Sequence, residues 1–296
     1  MKYLDPVTLA RIRSLRHREL SASSEGALTG FHRSVARRGF SQEFAQHKPY
    51  SEGDDIRFMD WKVYARKDRF YVKEFHEEKS IRLHLLMDAS SSMSFAGPGK
   101  ASVGKWDYAC RLAMSIACLS VMKGDQCGLM AFSDRNLAEI PVRGGLKQLE
   151  LLDAALAGME PSGRSSFGSV FRQFLPSAPK RSAVALFSDL MGNPREVLEA
   201  VRFLKSGKRT VYVFQVLDPS ERDLPWEGAV SFLDMETGSR CGCRPAAIRD
   251  SYAEEFSRWL RLCENACGTA KIFHMTCFTD MPWDIVMGRF LAGRTV

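Results

Sequence analysis

The spacing of apolar residues changes character along the 296-residue chain. Val7, Leu9, Ile12, Leu15 and Leu20 fall at roughly helical spacing, which predicts an opening helix over 5–20. Residues 21–56 are rich in glycine, serine and charge without a steady period, and read as an ordered loop region. A short helix or turn is expected over 57–66, and the alternation in 69–77 predicts a strand. After residue 80, strand and helix patterns alternate. Strands are expected at Ile81–Met87, Cys127–Phe132, Ala183–Phe187, Thr210–Leu217 and Ala270–Met275, with a short edge strand at Leu137–Val142. Helices are expected at Trp106–Met122, Leu146–Leu156, Phe167–Leu175, Pro194–Lys205, Ile248–Cys263 and Pro282–Leu291, and a polar hairpin over 229–247 around Thr237-Gly238. This order predicts an α/β fold with a doubly wound, mostly parallel sheet over 81–296, and a separate helix, loop and strand extension over 1–80.

Sheets of this kind bind ligands beyond the carboxyl ends of their strands. The loops to inspect therefore follow residues 87, 132, 187 and 217. The first reads Met87-Asp88-Ala89-Ser90-Ser91-Ser92-Met93, a D-x-S-x-S directly after a buried strand. One carboxylate and two hydroxyls at alternate positions can turn toward one point. They are hard oxygen donors, suited to Mg2+, with Mn2+ and Ca2+ as alternatives. Three such donors cannot complete an octahedron, so positions stay open for water or a partner group. A second loop, Pro161 to Phe167, offers Ser165 and Ser166, and a third presents Asp189 after the strand at 183–187.

This constellation resembles the von Willebrand factor A fold, whose metal-ion-dependent adhesion site has D-x-S-x-S after its first strand, a Thr in a later loop and an Asp after its fourth strand. The resemblance assigns Asp88, Ser90 and Ser92 to the first motif, Ser165 to the Thr position with Ser166 as the alternative, and Asp189 to the last. Serine for threonine keeps the hydroxyl and loses the methyl. The upstream run Tyr50-Ser-Glu-Gly53-Asp54-Asp55-Ile-Arg57-Phe-Met-Asp60-Trp61 to Arg66, Val72-Lys-Glu-Phe75, Gly39-Phe-Ser-Gln-Glu-Phe44 and Gly124-Asp125 are together similar to the bacterial domain-of-unknown-function 58 family. That resemblance covers nearly the whole chain. It implies a chaperone-like or assembly role beside a MoxR-type AAA+ ATPase.

Composition narrows the choices. The net charge, 42 − 35 = +7, comes from basic residues interleaved with acidic ones, which argues against a nucleic-acid partner. The basic stretches Arg11–Arg18 and Arg33–Arg38 read as solvated faces or loops. No apolar run approaches the roughly 20 residues of a membrane span, and the first residues lack the apolar stretch of a secretory signal. A cytoplasmic location is expected. Eight cysteines fit it, since Cys110, Cys118 and Cys127 fall at core positions and read as free thiols.

Several sharper-looking signals read as ordinary. Gly99 to Gly104-Lys105-Trp106 nearly spells a nucleotide-binding P-loop, but Trp106 stands where Ser or Thr must reach the Mg2+. It reads as a flexible loop bordering the first metal loop and available to partners. Cys241, Cys243, Cys263 and Cys267 could hold zinc, but their spacing matches no common zinc ribbon. The six histidines are dispersed, and no nucleophile, base and oxyanion donors assemble. The segment 53–66 reads as structural, with Asp60 and Arg66 in caps or ion pairs and Trp61 packed on the sheet; its functional alternative is a docking surface. The leading expectation is a non-enzymatic, divalent-metal-dependent protein-interaction module, in which a partner's carboxylate completes the metal shell. The alternatives are a metal-dependent hydrolase of phosphate substrates and a scaffold whose metal site is vestigial.

Overall fold

The computed structural model describes residues 1–21, 43–52, 54–76, 80–98, 103–177, 182–192 and 194–293. The expected loop over 22–42, the Gly39–Phe44 motif up to Gln42, the basic stretch Arg33–Arg38 and residues 99–102 of the P-loop-like segment lie outside the described residues.

The chain forms two compact units, one of them residues 28–80. The larger unit begins with α1, Pro6–Ser21, which packs on two later helices (α3 and α9 below) through the fully buried Ile12. The division expected at residue 80 had placed this helix in the other part. In the smaller unit, β1 (Glu43–Pro49) pairs antiparallel with β2 (Tyr71–His76), with α2 (Trp61–Lys67) between them in sequence. The strand β1 stands where a loop is expected. Its sequence, Glu-Phe-Ala-Gln-His-Lys-Pro from 43 to 49, shows no alternation of apolar and polar residues, and its extended form comes with pairing to β2. Asp60 caps α2 by accepting the N–H groups of Lys62 and Val63, and its other oxygen lies 2.9 Å from His47 Nε2. Trp61 is 60% exposed rather than packed on a sheet, with its ring edge-on to Tyr64.

The larger unit continues with β3 (Arg82–Asp88), α3 (Lys105–Met122), β4 (Gln126–Phe132), β5 (Asn136–Arg143), α4 (Leu146–Ala157), α5 (Phe167–Ser177), β6 (Ala183–Ser188), α6 (Pro194–Leu204) and β7 (Thr210–Leu217). Then follow α7 (Pro219–Asp223), β8 (Val230–Leu233), β9 (Arg240–Cys243), α8 (Pro245–Thr269), β10 (Phe273–Phe278) and α9 (Trp283–Leu291). Six strands form one sheet in the order β10-β7-β6-β3-β4-β5; every pairing is parallel except that of the edge strand β5. The strands buried on both faces read as apolar runs, as in Leu83 to Met87 and Ala183 to Phe187. The last strand lies about three residues later than expected, because α8 runs on to Thr269 and ends in a turn at Ala270-Lys271. Strands β8 and β9 form a separate hairpin. Among the described residues no helix is long and apolar enough to cross a membrane.

This order places β3 and β6 side by side, with Met87 opposite Phe187. Asp88 and Asp189 therefore leave the same sheet edge from neighbouring strands. The order reverses at β3, whose successor β4 lies on one side while β6 lies on the other, so a crevice opens there.

Candidate metal centre

Asp88 is fully buried at the end of β3. Its Oδ1 accepts the Ser90 N–H at 3.0 Å, which closes a tight local turn. Its Oδ2 accepts two hydroxyls, Ser188 at 2.6 Å and Ser165 at 3.2 Å. Among the described residues, the groups that donate to this carboxylate are neutral hydroxyls and an amide. Burial, and then the charge of Asp189, push its pKa up to about 6 against the lowering by hydrogen bonds from Ser188 and Ser90. The Ser90 and Ser92 hydroxyls share a hydrogen bond of 3.1 Å.

The second loop is stitched to the first through the main chain. Ser162 N–H donates to Ala89 O at 2.7 Å, and Ser91 N–H donates to Gly163 O at 2.9 Å. Gly163 has φ +84°, and a Cβ there would stand 3.2 Å from Ser133 Oγ, so a side chain would be strained. This turn sets Ser165 over Asp88. The five residues expected from sequence are thus brought to one sheet edge. Of the two candidate serines, Ser165 donates to Asp88.

The Asp189 side is built differently. Its Oδ1 accepts the Met191 N–H at 2.9 Å, and its Oδ2 accepts the Lys105 ammonium at 2.9 Å. Lys105 is fully buried at the start of α3 and also donates to Glu221 Oε1 at 2.7 Å. Burial alone would lower the Lys105 pKa, but Asp189 and Glu221 outweigh it and hold the value up at about 12. Burial opposes ionisation of Asp189 as well, yet Lys105 holds its pKa below the usual carboxylate value. Glu221 Oε2 accepts the Asp218 N–H at 2.7 Å in a capping box at α7, so the residue carrying one end of this ion pair is fixed by its own helix start.

Sequence reasoning missed four of these groups. Lys105 carries a signal in the Gly104-Lys105 pair, which reads as the end of a P-loop-like segment or as a loop bordering the Asp88 loop and open to partners. It is neither exposed to partners nor part of a P-loop. Ser188 stood beside Asp189 in the sequence, and Asp218-Pro-Ser-Glu221 spells its capping box. Glu236, on the β8–β9 hairpin, accepts the Ser165 N–H at 3.3 Å and carried no signal at all. Cys263 and Cys267 lie in the hydrophobic core, while Cys241 is exposed on β9. Among the described residues no group of three or more His, Cys, Asp or Glu side chains is placed to hold a metal. The candidate centre instead combines two carboxylates with hydroxyls.

A parallel-dominated sheet, helices on its faces and an antiparallel edge strand define a doubly wound α/β module. The chain belongs to the family described as protein of unknown function DUF58, whose model matches residues 46–259. It is similar to uncharacterized protein Rv1480 of Mycobacterium tuberculosis, 27% identical over 98% of this chain and 90% of that one. It also resembles the crystal structure of conserved hypothetical protein BatB from Bacteroides thetaiotaomicron, with 15% identity and a TM-score of 0.47 over 72% of this chain and 98% of that chain. An aerotolerance-related membrane protein from Bacteroides fragilis gives 16% identity and a TM-score of 0.44, over 73% of this chain and 98% of that one.

Proposed function

We propose that this chain is a non-enzymatic protein-interaction module that uses one hard divalent cation, Mg2+ foremost, held by Asp88, Ser90, Ser92, Ser165 and Asp189. The observation that carries this reading is Asp88. A fully buried carboxylate surrounded by neutral donors, with a second carboxylate on the next strand, pays an electrostatic cost that a cation would relieve. Hydroxyl and carboxylate oxygens are the donors such a cation prefers. When bound, the cation would supply positive charge and coordination positions that the chain leaves open. A partner's carboxylate suits those positions. The proposed partner is a MoxR-type AAA+ ATPase, or a protein assembled with its help, as the resemblance of the sequence motifs implies.

Calorimetry with Mg2+ and Mn2+ on the wild type and on Asp88→Ala tests the cation. Heat in the wild type that is lost in the variant supports the reading; the same response from both proteins sinks it. Co-purification of the purified MoxR-type ATPase from the same cell, with and without chelator, tests the partner, and capture that chelator does not alter counts against metal dependence.

Lys105 favours one second reading, a scaffold that has replaced the cation by an ammonium. It already neutralises Asp189 from inside. It does not reach Asp88 among the bonds it makes, which go to Asp189 and Glu221, and so the cation reading is preferred.

A further inference from the structure

The β8–β9 hairpin brings a further carboxylate to the mouth of the same centre. Asp234 builds its turn: the Asp234 N–H donates to Ser239 O at 2.9 Å, and its side chain accepts the N–H groups of Glu236 at 2.9 Å and Thr237 at 3.2 Å. Gly238, at φ +72°, lets the chain reverse and donates its N–H to Asp234 O. The turn leaves Glu236 half-buried while Met235 and Thr237 on either side are exposed. Glu236 is tied down twice through the second loop. Its Oε1 accepts the Ser165 N–H at 3.3 Å, and its carbonyl accepts Arg164 Nε at 3.2 Å. Burial and the nearby charge of Asp189 raise the pKa of this carboxylate. The Ser165 N–H, on the residue whose hydroxyl reaches Asp88, is the direct tie between Glu236 and the candidate centre.

Chain economy does not explain this placement. A carboxylate drawn from a solvated hairpin toward Asp189 loses hydration and gains repulsion, and neutral donors return only part of that cost. A cation between them would reverse the sign of the repulsive part.

We infer that Glu236 is the chain's own carboxylate ligand for the cation centre, standing where a partner's carboxylate would enter, so that the hairpin closes the centre until a partner displaces it. This rests on the cation reading above. Asp88, Asp189 and Glu236 do not form a three-carboxylate cage as they stand, so closure of the hairpin onto the cation is part of the inference. The hairpin is suited to move. Each of its strands has four residues, and they pair with each other outside the six-stranded sheet. Displacing it breaks no hydrogen bond of that sheet, and an isolated two-stranded hairpin is only marginally stable. By linkage, a cation that draws Glu236 inward must be bound more tightly when the hairpin is closed.

The test uses the full chain, Mn2+ alone as the probe, and four proteins: wild type, Glu236→Gln, Glu236→Asp and Asp88→Ala. Calorimetry reads affinity, and hydrogen–deuterium exchange reads the hairpin over 230–243. Mn2+ is expected to slow exchange across the hairpin of the wild type. Glu236→Gln should bind Mn2+ about tenfold more weakly, the scale of an adjoining metal-site substitution, and its hairpin should no longer respond. Glu236→Asp keeps the charge but is one methylene shorter and should behave like Gln. If it behaves like the wild type, long-range charge is at work and ligation is overturned. Equal affinity and equal hairpin response in wild type and Glu236→Gln, with binding still lost in Asp88→Ala, overturns the role of Glu236 alone. No Mn2+ binding by the wild type overturns the cation reading and this inference together.

Discussion

Asp88 ends β3 and Asp189 follows its parallel neighbour β6; the two are equally buried and have opposite electrostatic fates. Asp189 is paired with the buried ammonium of Lys105 at 2.9 Å, and its pKa is lowered. Asp88 has hydroxyls and an amide, and its pKa is raised to about 6. Burial is common to both, so it does not decide between them; an internal counter-charge does. The Asp189 side belongs to the structure, since Lys105 and Glu221 tie the starts of α3 and α7 to it. The Asp88 side has only neutral donors among its bonds, and the proposed cation rests on that difference.

The largest effect is expected from removing the counter-charge. Lys105→Met leaves Asp189 and Glu221 buried without a cation, which should cost about 3–5 kcal/mol in denaturant unfolding. Added Mn2+ should recover part of that loss. A loss below about 1 kcal/mol would mean that the ammonium is not the structural partner of Asp189.

Matched amide substitutions should then split the two carboxylates. Asp189→Asn should destabilise the metal-free protein by roughly 1–3 kcal/mol, because Lys105 loses a charged partner. Asp88→Asn removes a disfavoured charge and should leave the metal-free protein as stable or roughly 1–2 kcal/mol more stable at pH 7, while Mn2+ binding disappears. Thermal unfolding in chelator, with calorimetry beside it, reads both. Equal destabilisation by the two variants would erase the comparison.

pH separates them again. A folded carboxyl with a raised pKa holds its proton longer than the unfolded chain does. Asp88 therefore costs metal-free stability as pH rises from the usual carboxylate range to about 6, and that cost is absent at lower pH. Asp189 has the opposite sign: its stabilisation is present above the usual carboxylate pKa and is lost as pH falls through its lowered value. Because a cation competes with the Asp88 proton, Mn2+ affinity should fall by up to about tenfold per pH unit below about 6. Calorimetry at pH 5, 6 and 7.5 checks this, and a flat profile would show that Asp88 does not bind the metal.

The smallest change is expected from Ser165→Thr. It keeps the hydroxyl bonded to Asp88 and adds a methyl that restricts the side chain. Mn2+ affinity should change by less than about threefold. A larger gain would mean that serine at this position had loosened the centre.

Local pattern determined a great deal of this protein. Leu83 to Met87, Cys127 to Phe132 and Ala183 to Phe187 are short apolar runs between helical patterns, and each is a strand of the main sheet. Asp88, Ser90 and Ser92 were legible because their donors sit within five residues, where a turn alone aims them. Strand β1 was not legible, because its residues do not alternate and are a strand through pairing with β2. The Lys105 pair with Asp189 spans 84 residues, its pair with Glu221 spans 116, and the Glu236 bond to Ser165 spans 71. No spacing rule reaches so far. The sequence by itself determined the alternation of elements and the turn that carries Asp88, Ser90 and Ser92. Only the tertiary structure decided which carboxylate received an internal cation, because strand order, not sequence distance, sets which loop ends meet and what charge each finds there.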